Sequence, residues 1–379
     1  MLAHVALACL ASGAVAHAQP PGALSAADRD IVRTLTTALA AREKDLPPLT
    51  MCGLFEGFYT PLYWAITEYL VVAAKGDPAD LARVPRGDRG AAGVAVWESA
   101  DDDSWEREIQ GVYRGPTPWI SPAVAADPTL VADMYRLERG DRDRVTVLDC
   151  TSGYPMVSLQ PPKPDRASRL FAIYLGLETP TGPFDQVLGH LVTDAAWHVT
   201  PPQLKGDVLA VSGTVYTPDT GALTHVSVEA VVAPSWAPLR YRYVTLGANG
   251  RGVAEELVWG DLTEVGKGGP ALARSATWWR FNYAFPGKPP LVETWRFRCT
   301  ELRPSDPGGE PYQFPRLAAF DEATSGAAAV AAEAGRYEGN KLQVLARDFA
   351  TMNPPEPPAD LIQLRPESAI EGLKKQYGF

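Results

Sequence analysis

Histidine and cysteine are both scarce in this chain, and neither recurs at a metal-binding spacing. Five histidines and four cysteines are spread over 379 residues. No CxxC pair occurs, which removes zinc-ribbon and thioredoxin-like motifs. Neither HExxH nor G-x-S-x-G occurs, which removes the zincin helix and the nucleophile elbow. Beyond the N-terminus, no run reaches the ~18 apolar residues of a membrane-spanning helix. Positive charge is in deficit, with 35 Lys and Arg against 45 Asp and Glu and a net charge of −10. That balance argues against nucleic acid or an anionic lipid surface as the main partner. The apolar fraction, 46%, is that of a folded chain.

The first eighteen residues read as a cleavable secretory signal. They are rich in Ala, Leu and Val, carry no Lys, Arg, Asp or Glu, and end in Ala16-His17-Ala18. This small-x-small pattern predicts a mature start near Gln19 and a periplasmic or extracellular location. Cys52, Cys150 and Cys299 remain after cleavage. In an oxidising compartment they are compatible with one disulfide plus a buried thiol, or with three small core residues. The mature histidines are His190, His198 and His225. Their spacing fits no zinc site, so no metal is assigned to them, and a Ser-His-Asp site would have to draw its base from these three.

Local patterning predicts a β-rich chain. Ser25 to Arg42 reads as a helix with Ser25 as N-cap and Ile31, Leu35 and Leu39 on one face, ended by Pro47-Pro48. Thr60 to Ala73 fits helix and strand equally. Ala91 to Ser99 and Trp105 to Tyr113 read as a strand pair joined by the acidic turn Asp101 to Ser104, which lacks the spaced ligands of a calcium loop. Asp127-Pro128 predicts a helix start, with Leu130, Met134 and Leu137 on one face. Pro155 to Pro164 reads as a connection, and Pro183 to Val192 as a short helix burying Phe184, Val187, Leu188 and Leu191. From Gly206 to Arg303 successive strands and short Gly, Asn and Pro turns predict an antiparallel meander: 208–216, 224–232, 239–246, 253–265, 272–285 and 291–302. The glycine-rich 247–252 is followed by a strand, so it reads as a hairpin turn and not a phosphate cradle. Gly266-Lys267-Gly268-Gly269 likewise lacks the Ser or Thr and the helix of a P-loop, and no cofactor is expected. Glu255 and Glu256, adjacent on a strand, point to opposite faces and cannot act together. Ala318 to Ala334, Lys341 to Phe349 and Ser368 to Tyr377 read as helices.

The distinctive feature is aromatic. In LARSATWWRFNYAF, Trp279, Phe281, Tyr283 and Phe285 alternate onto one side, with Arg280 and Asn282 on the other. Trp295, Phe297 and Cys299 alternate against Arg296 and Arg298. Leu239, Tyr241 and Tyr243 alternate against Arg240 and Arg242. Each strand so presents an aromatic side and a basic, polar side. The aromatic residues read either as sheet core or as the lining of an apolar cavity, and full burial of each ring is worth roughly 1.5–3 kcal/mol in either case.

The exported N-terminus, the opening helix and the late meander, with APLRYRYVTLGANGRGVAEELVWGDLTEV at its centre, resemble the LolA/LolB-like bacterial lipoprotein-carrier superfamily. The resemblance implies a curved, incomplete β-barrel with helices on its concave, apolar face, where acyl chains or other hydrophobic ligands are carried. It covers roughly residues 206–303. The fold expected is α+β: that curved antiparallel sheet packed against helices, with a helical C-terminal extension. The organisation expected is a signal peptide over 1–18, a β-rich domain over 19–303 and a Pro/Ala-rich helical extension over 304–379. The function expected is non-enzymatic binding or carriage of a lipid or other hydrophobic small molecule in the cell envelope. The ligand would lie against Tyr241, Tyr243, Trp279, Phe281, Tyr283, Phe285, Trp295 and Phe297. A secreted hydrolase with a noncanonical site, or an envelope protein that binds another protein, are the alternatives.

Overall fold

A computed structural model of the chain describes residues 24–59, 89–99, 105–114, 131–140, 145–149, 156–160, 169–232, 235–283, 290–304 and 356–362. In chain order the described elements are α1 (Ala26–Lys44), β1 (Leu49–Tyr59), β2 (Arg89–Ser99), β3 (Trp105–Arg114), β4 (Val131–Gly140), β5 (Val145–Asp149), β6 (Met156–Gln160) and α2 (Arg169–Leu175). They continue with β7 (Glu178–Thr179), β8 (Gly182–Pro183), α3 (Phe184–Thr193), β9 (His198–Lys205), β10 (Val208–Thr217), β11 (Ala222–Val231), β12 (Ala237–Leu246), β13 (Gly252–Glu264), β14 (Ala271–Tyr283), β15 (Leu291–Pro304) and α4 (Ala359–Ile362). They fall into two compact units. One takes the described residues of Met1–Leu46, Arg169–Pro290 and Glu356–Phe379, the other those of Pro47–Ser168 and Leu291–Pro355.

The first unit is an open antiparallel sheet in the order β9-β10-β11-β12-β13-β14, with helices on one face. Helix α1 forms where its apolar period and its caps agree. Ser25 Oγ accepts from the Asp28 amide at 3.0 Å, and Ile31, Val32, Leu35 and Leu39 are buried. Helix α3 buries Phe184, Leu188 and Leu191, while Val187 is half-buried. α1 packs on α3 and β9, and α2 packs on β14. Helix α2 closes in a Schellman turn: Gly176 has φ +76°, its amide donates to Ile173 O, and the Leu177 amide donates to Ala172 O. The guanidinium of Arg42, in the last turn of α1, donates to the carbonyls of Gly176 and Ala271. It is buried, and desolvation lowers its pKa to about 9.

The sequence pattern anticipates the meander from β10 to β15, the β2–β3 pair, α1 and α3. Several elements differ from expectation or go beyond it; β1, β5, α2 and the short β7 and β8 match no predicted segment. The stretch after Asp127-Pro128 is not a helix: Val131–Gly140 is strand β4, in register with β3 from Val131↔Arg114 to Gly140↔Trp105. Over ten residues an apolar spacing of three and four is too short to define a period, and strand pairing overrides helix propensity. The proline-rich connection contains strand β6, whose residues Met156–Gln160 lie between the prolines and pair with β5. Strand β9 was not anticipated, because Pro201-Pro202 argues against a strand; among the described residues β9 pairs only with β10, and the register shifts beside the prolines. The signal segment, residues 60–73, the acidic turn and the three C-terminal helical segments lie outside the described residues.

The second unit carries the order β15-β1-β2-β3-β4-β5-β6. Its β1–β15 register sets Gly57 opposite Trp295 and Phe55 opposite Phe297. A Cβ on Gly57 would lie 2.5 Å from the Trp295 ring, and one on Gly53 2.5 Å from the Phe297 ring. Glycine on β1 is therefore what lets the β15 aromatics lie flat across the strand. On the other side of the same strands Arg296 donates to Glu56. Among the described residues no helix is long and apolar enough to cross a membrane.

Candidate functional site

The sheet register divides the aromatic residues singled out in the sequence. Across β12, β13 and β14, Tyr241 stands opposite Leu257, which stands opposite Trp278. Arg242 stands opposite Glu256, which stands opposite Trp279. Directly paired residues share a face. Tyr241 and Tyr243 therefore share a face with Trp278 and Arg280, whereas Trp279, Phe281 and Tyr283 lie on the reverse. The aromatic sides of β12 and β14 are not the same side of the sheet. Alternation along one strand predicts which residues go together, but it does not give the phase between strands, which the turns set. Trp295 and Phe297 belong to the second unit, and Phe285 lies outside the described residues.

The described side-chain contacts between helices and sheet fall on the Tyr241 face. Trp259 Nε1 donates to Ile173 O of α2 at 2.7 Å, and its ring lies 6.2 Å from that of Phe184 on α3. A Cβ on Gly213 would meet Leu191 Cδ2 of α3 at 2.6 Å. The Tyr241 hydroxyl is hydrogen-bonded to Thr181 in the β7–β8 turn. Burial drives its pKa strongly upward, against the hydrogen bonds of Thr181 and Thr179.

Along this face the rows grade from apolar to polar. The first is Trp259 and Ala276, both buried; the second is Tyr241, Leu257 and Trp278, the last half-exposed. The third is Tyr243, Glu255 and Arg280, and the fourth Thr245, Val253 and Asn282. In the last two rows Glu255 alone is buried, with 6% exposure, while the others are half-exposed. Glu255 Oε2 accepts the Trp278 indole N–H at 3.0 Å, and Oε1 lies 3.8 Å from Arg280 Nε. Burial raises the Tyr243 pKa, a Thr245 hydrogen bond lowers it, and the Glu255 charge raises it again. Among the described residues the face thus passes from buried apolar rows to a half-exposed aromatic and polar ledge. Trp278, Glu255 and Arg280 were not marked as site residues in the sequence, although the doubled Trp278-Trp279 was the available signal.

The reverse face holds a second, separate charge group. Arg242 Nε donates to Glu256 Oε2 at 2.7 Å, and Arg240 Nε lies 3.5 Å from Oε1. Glu255 and Glu256 do lie on opposite faces, as strand alternation requires. Also on the reverse face, His198 and His225 flank Thr214 across β9, β10 and β11. His225 Nδ1 and Thr214 Oγ1 are 2.9 Å apart, but Thr214 has no exposed surface from which to reach a substrate. His190 lies in the last turn of α3. Among the described residues no group of three His, Cys, Asp or Glu is placed to hold a metal ion. Cys299 is buried, with its Sγ 2.9 Å from Glu301 O.

No known protein family matches the chain, and no curated protein does. Among solved structures it is similar to a LolA superfamily protein, NE2245 from Nitrosomonas europaea. The identity is 7%, the match covers 73% of this chain and 94% of that one, and the TM-score is 0.30. A likeness of that degree carries no argument about function.

Proposed function

We propose that this is an exported cell-envelope protein that binds or carries an amphipathic, largely hydrophobic ligand on the helix-covered face of the first unit. The observation that carries this reading is the graded face from Trp259 through Leu257 and Trp278 to Glu255 and Arg280. An apolar chain gains ~0.8 kcal/mol per methylene that it buries; here it would do so on the half-exposed Trp278, Tyr243 and Val253, since Trp259, Leu257 and Tyr241 are already buried within the protein. A few fixed polar groups at one end orient the head, which is the usual composition of a small-molecule site. Tyr241 and Tyr243 belong to this site. Trp279, Phe281 and Tyr283, buried on the reverse, serve the core in this reading.

Native mass spectrometry of protein purified from its own envelope tests the proposal. A co-purifying lipid mass that is lost on delipidation is expected; apo protein alone, with no uptake of an added fatty-acid analogue, would refute it. N-terminal sequencing of the same material is expected to begin at or near Gln19. A chain that retains Met1 would remove the compartment from the proposal while leaving the site intact.

A further inference from the structure

The third row of the graded face carries one charge of each sign. Arg280, with 36% of its side chain exposed, and the buried Glu255 stand directly opposite each other on adjacent strands. Tyr243 stands opposite Glu255 on the other side, and the Trp278 indole donates to that same carboxylate. We propose that Tyr243, Glu255, Trp278 and Arg280 form a headgroup subsite selective for a zwitterionic lipid head of the phosphocholine or phosphoethanolamine class. This inference rests on the amphipathic-ligand reading above and specifies the ligand's chemistry.

The argument is electrostatic. A purely anionic head would meet Arg280 but also the Glu255 charge beside it, with little water between to screen the repulsion. A purely cationic head would meet the reverse. A head with both charges can set its phosphate against the guanidinium, whose planar donors suit phosphate oxygens. Its ammonium then rests on the half-exposed faces of Trp278 and Tyr243. There cation–π attraction adds to the field of the carboxylate behind them. The indole hydrogen bond fixes both the ring and the carboxylate before the ligand arrives, which lowers the ordering cost of binding. Leu257 and Trp259 lie on one side of this row, already buried, and the half-exposed Thr245, Val253 and Asn282 lie on the other.

The test uses the full chain and a set of lauroyl lysophospholipids below their micelle concentrations, followed by tryptophan fluorescence. Lysophosphatidylcholine and lysophosphatidylethanolamine are expected to bind about tenfold more tightly than lysophosphatidylglycerol, as a favourable cation–π and carboxylate contact implies. Glu255→Gln is expected to erase that preference. Arg280→Gln should weaken all three. Equal affinity of the wild-type protein for the three heads would overturn the headgroup inference and leave the carrier reading standing. Failure to bind any of them, or a fatty-acid analogue, would overturn both. Glycerophosphocholine carries the head without the chain; competition by it as strong as by the lipid would overturn a lipid source. The wild-type series decides the matter even if a variant fails to fold.

Discussion

At the scale of single residues, His225 shows how burial on this sheet translates into pH dependence. Its pKa is lowered to about 4, first by burial and then by the Arg242 charge; Thr214 and His198 lie in its row. The unfolded chain, with an ordinary imidazole near pH 6.5, binds this proton more readily than the folded one. Stability is therefore retained above about pH 6.5 and lost as pH falls toward 4, by about 3 kcal/mol at most. Urea titrations at pH 7 and pH 4.5 should show this slope in the wild type and a shallower one in His225→Gln; equal slopes would assign the acid lability elsewhere. Gly176 makes a second residue-scale case. With φ at +76° and Pro238 Cγ 3.0 Å from where a Cβ would sit, Gly176→Ala combines backbone strain with crowding. A loss of about 1–2 kcal/mol is expected from the left-handed backbone alone. A neutral thermal shift would show that the α2 turn relaxes freely.

At the scale of elements, α3 is seated by a missing side chain. Gly213 on β10 leaves room for Leu191, with Trp197 Cε3 at 3.2 Å and Val199 Cγ2 at 3.5 Å from the would-be Cβ. Gly213→Ala should cost about 1–3 kcal/mol by overpacking. In the Leu191→Ala background most of that added cost should vanish, since the colliding methyl is gone; additive losses in a double-mutant cycle would sink the idea. The same elements show what can be read from a sequence. Helix α1 was legible because its Ser25 cap and apolar period coincide over Ser25 to Leu39, and α3 by its apolar period alone over Phe184 to Leu191. Strands β10 to β14 were legible because Gly, Asn and Pro turns punctuate alternating runs. β4 was not legible, because its partner Arg114 to Trp105 decides its state, not Leu130 and Met134. β9 was hidden by Pro201-Pro202, which an end strand tolerates where a central one would not. The candidate site was half legible. Tyr241 and Tyr243 were found, but Trp278, Glu255 and Arg280 depend on a phase between β12 and β14 that no single strand encodes.

At the scale of the whole molecule, the proposal depends on which face of the first unit's sheet meets a ligand and which only holds the fold together. Phe281 is 2% exposed on the reverse face, level with Ala254 and Val244, which are also buried. Truncation there leaves a cavity among close-packed neighbours, so Phe281→Ala should cost about 3–5 kcal/mol. Trp278 is half-exposed on the graded face, and its removal deprives Glu255 of an indole donor. Trp278→Ala should cost less, about 1–3 kcal/mol, chiefly for that lost hydrogen bond to a buried carboxylate. Both residues belong to β14 and to one unit, so their stability effects are read on the same unfolding transition. Binding should divide them the other way. Under conditions where both variants are folded, Phe281→Ala should keep wild-type affinity for a fluorescent fatty-acid analogue, and Trp278→Ala should weaken it at least several-fold. The two residues are three apart in sequence and on opposite sides of the same strand, so a general loosening of β14 would affect both affinities alike. If Phe281→Ala abolishes binding while Trp278→Ala leaves it untouched, the ligand lies on the reverse face and the graded ledge is structural. That result would return Trp279, Phe281 and Tyr283 to the site and move the headgroup question to Arg240, Arg242 and Glu256.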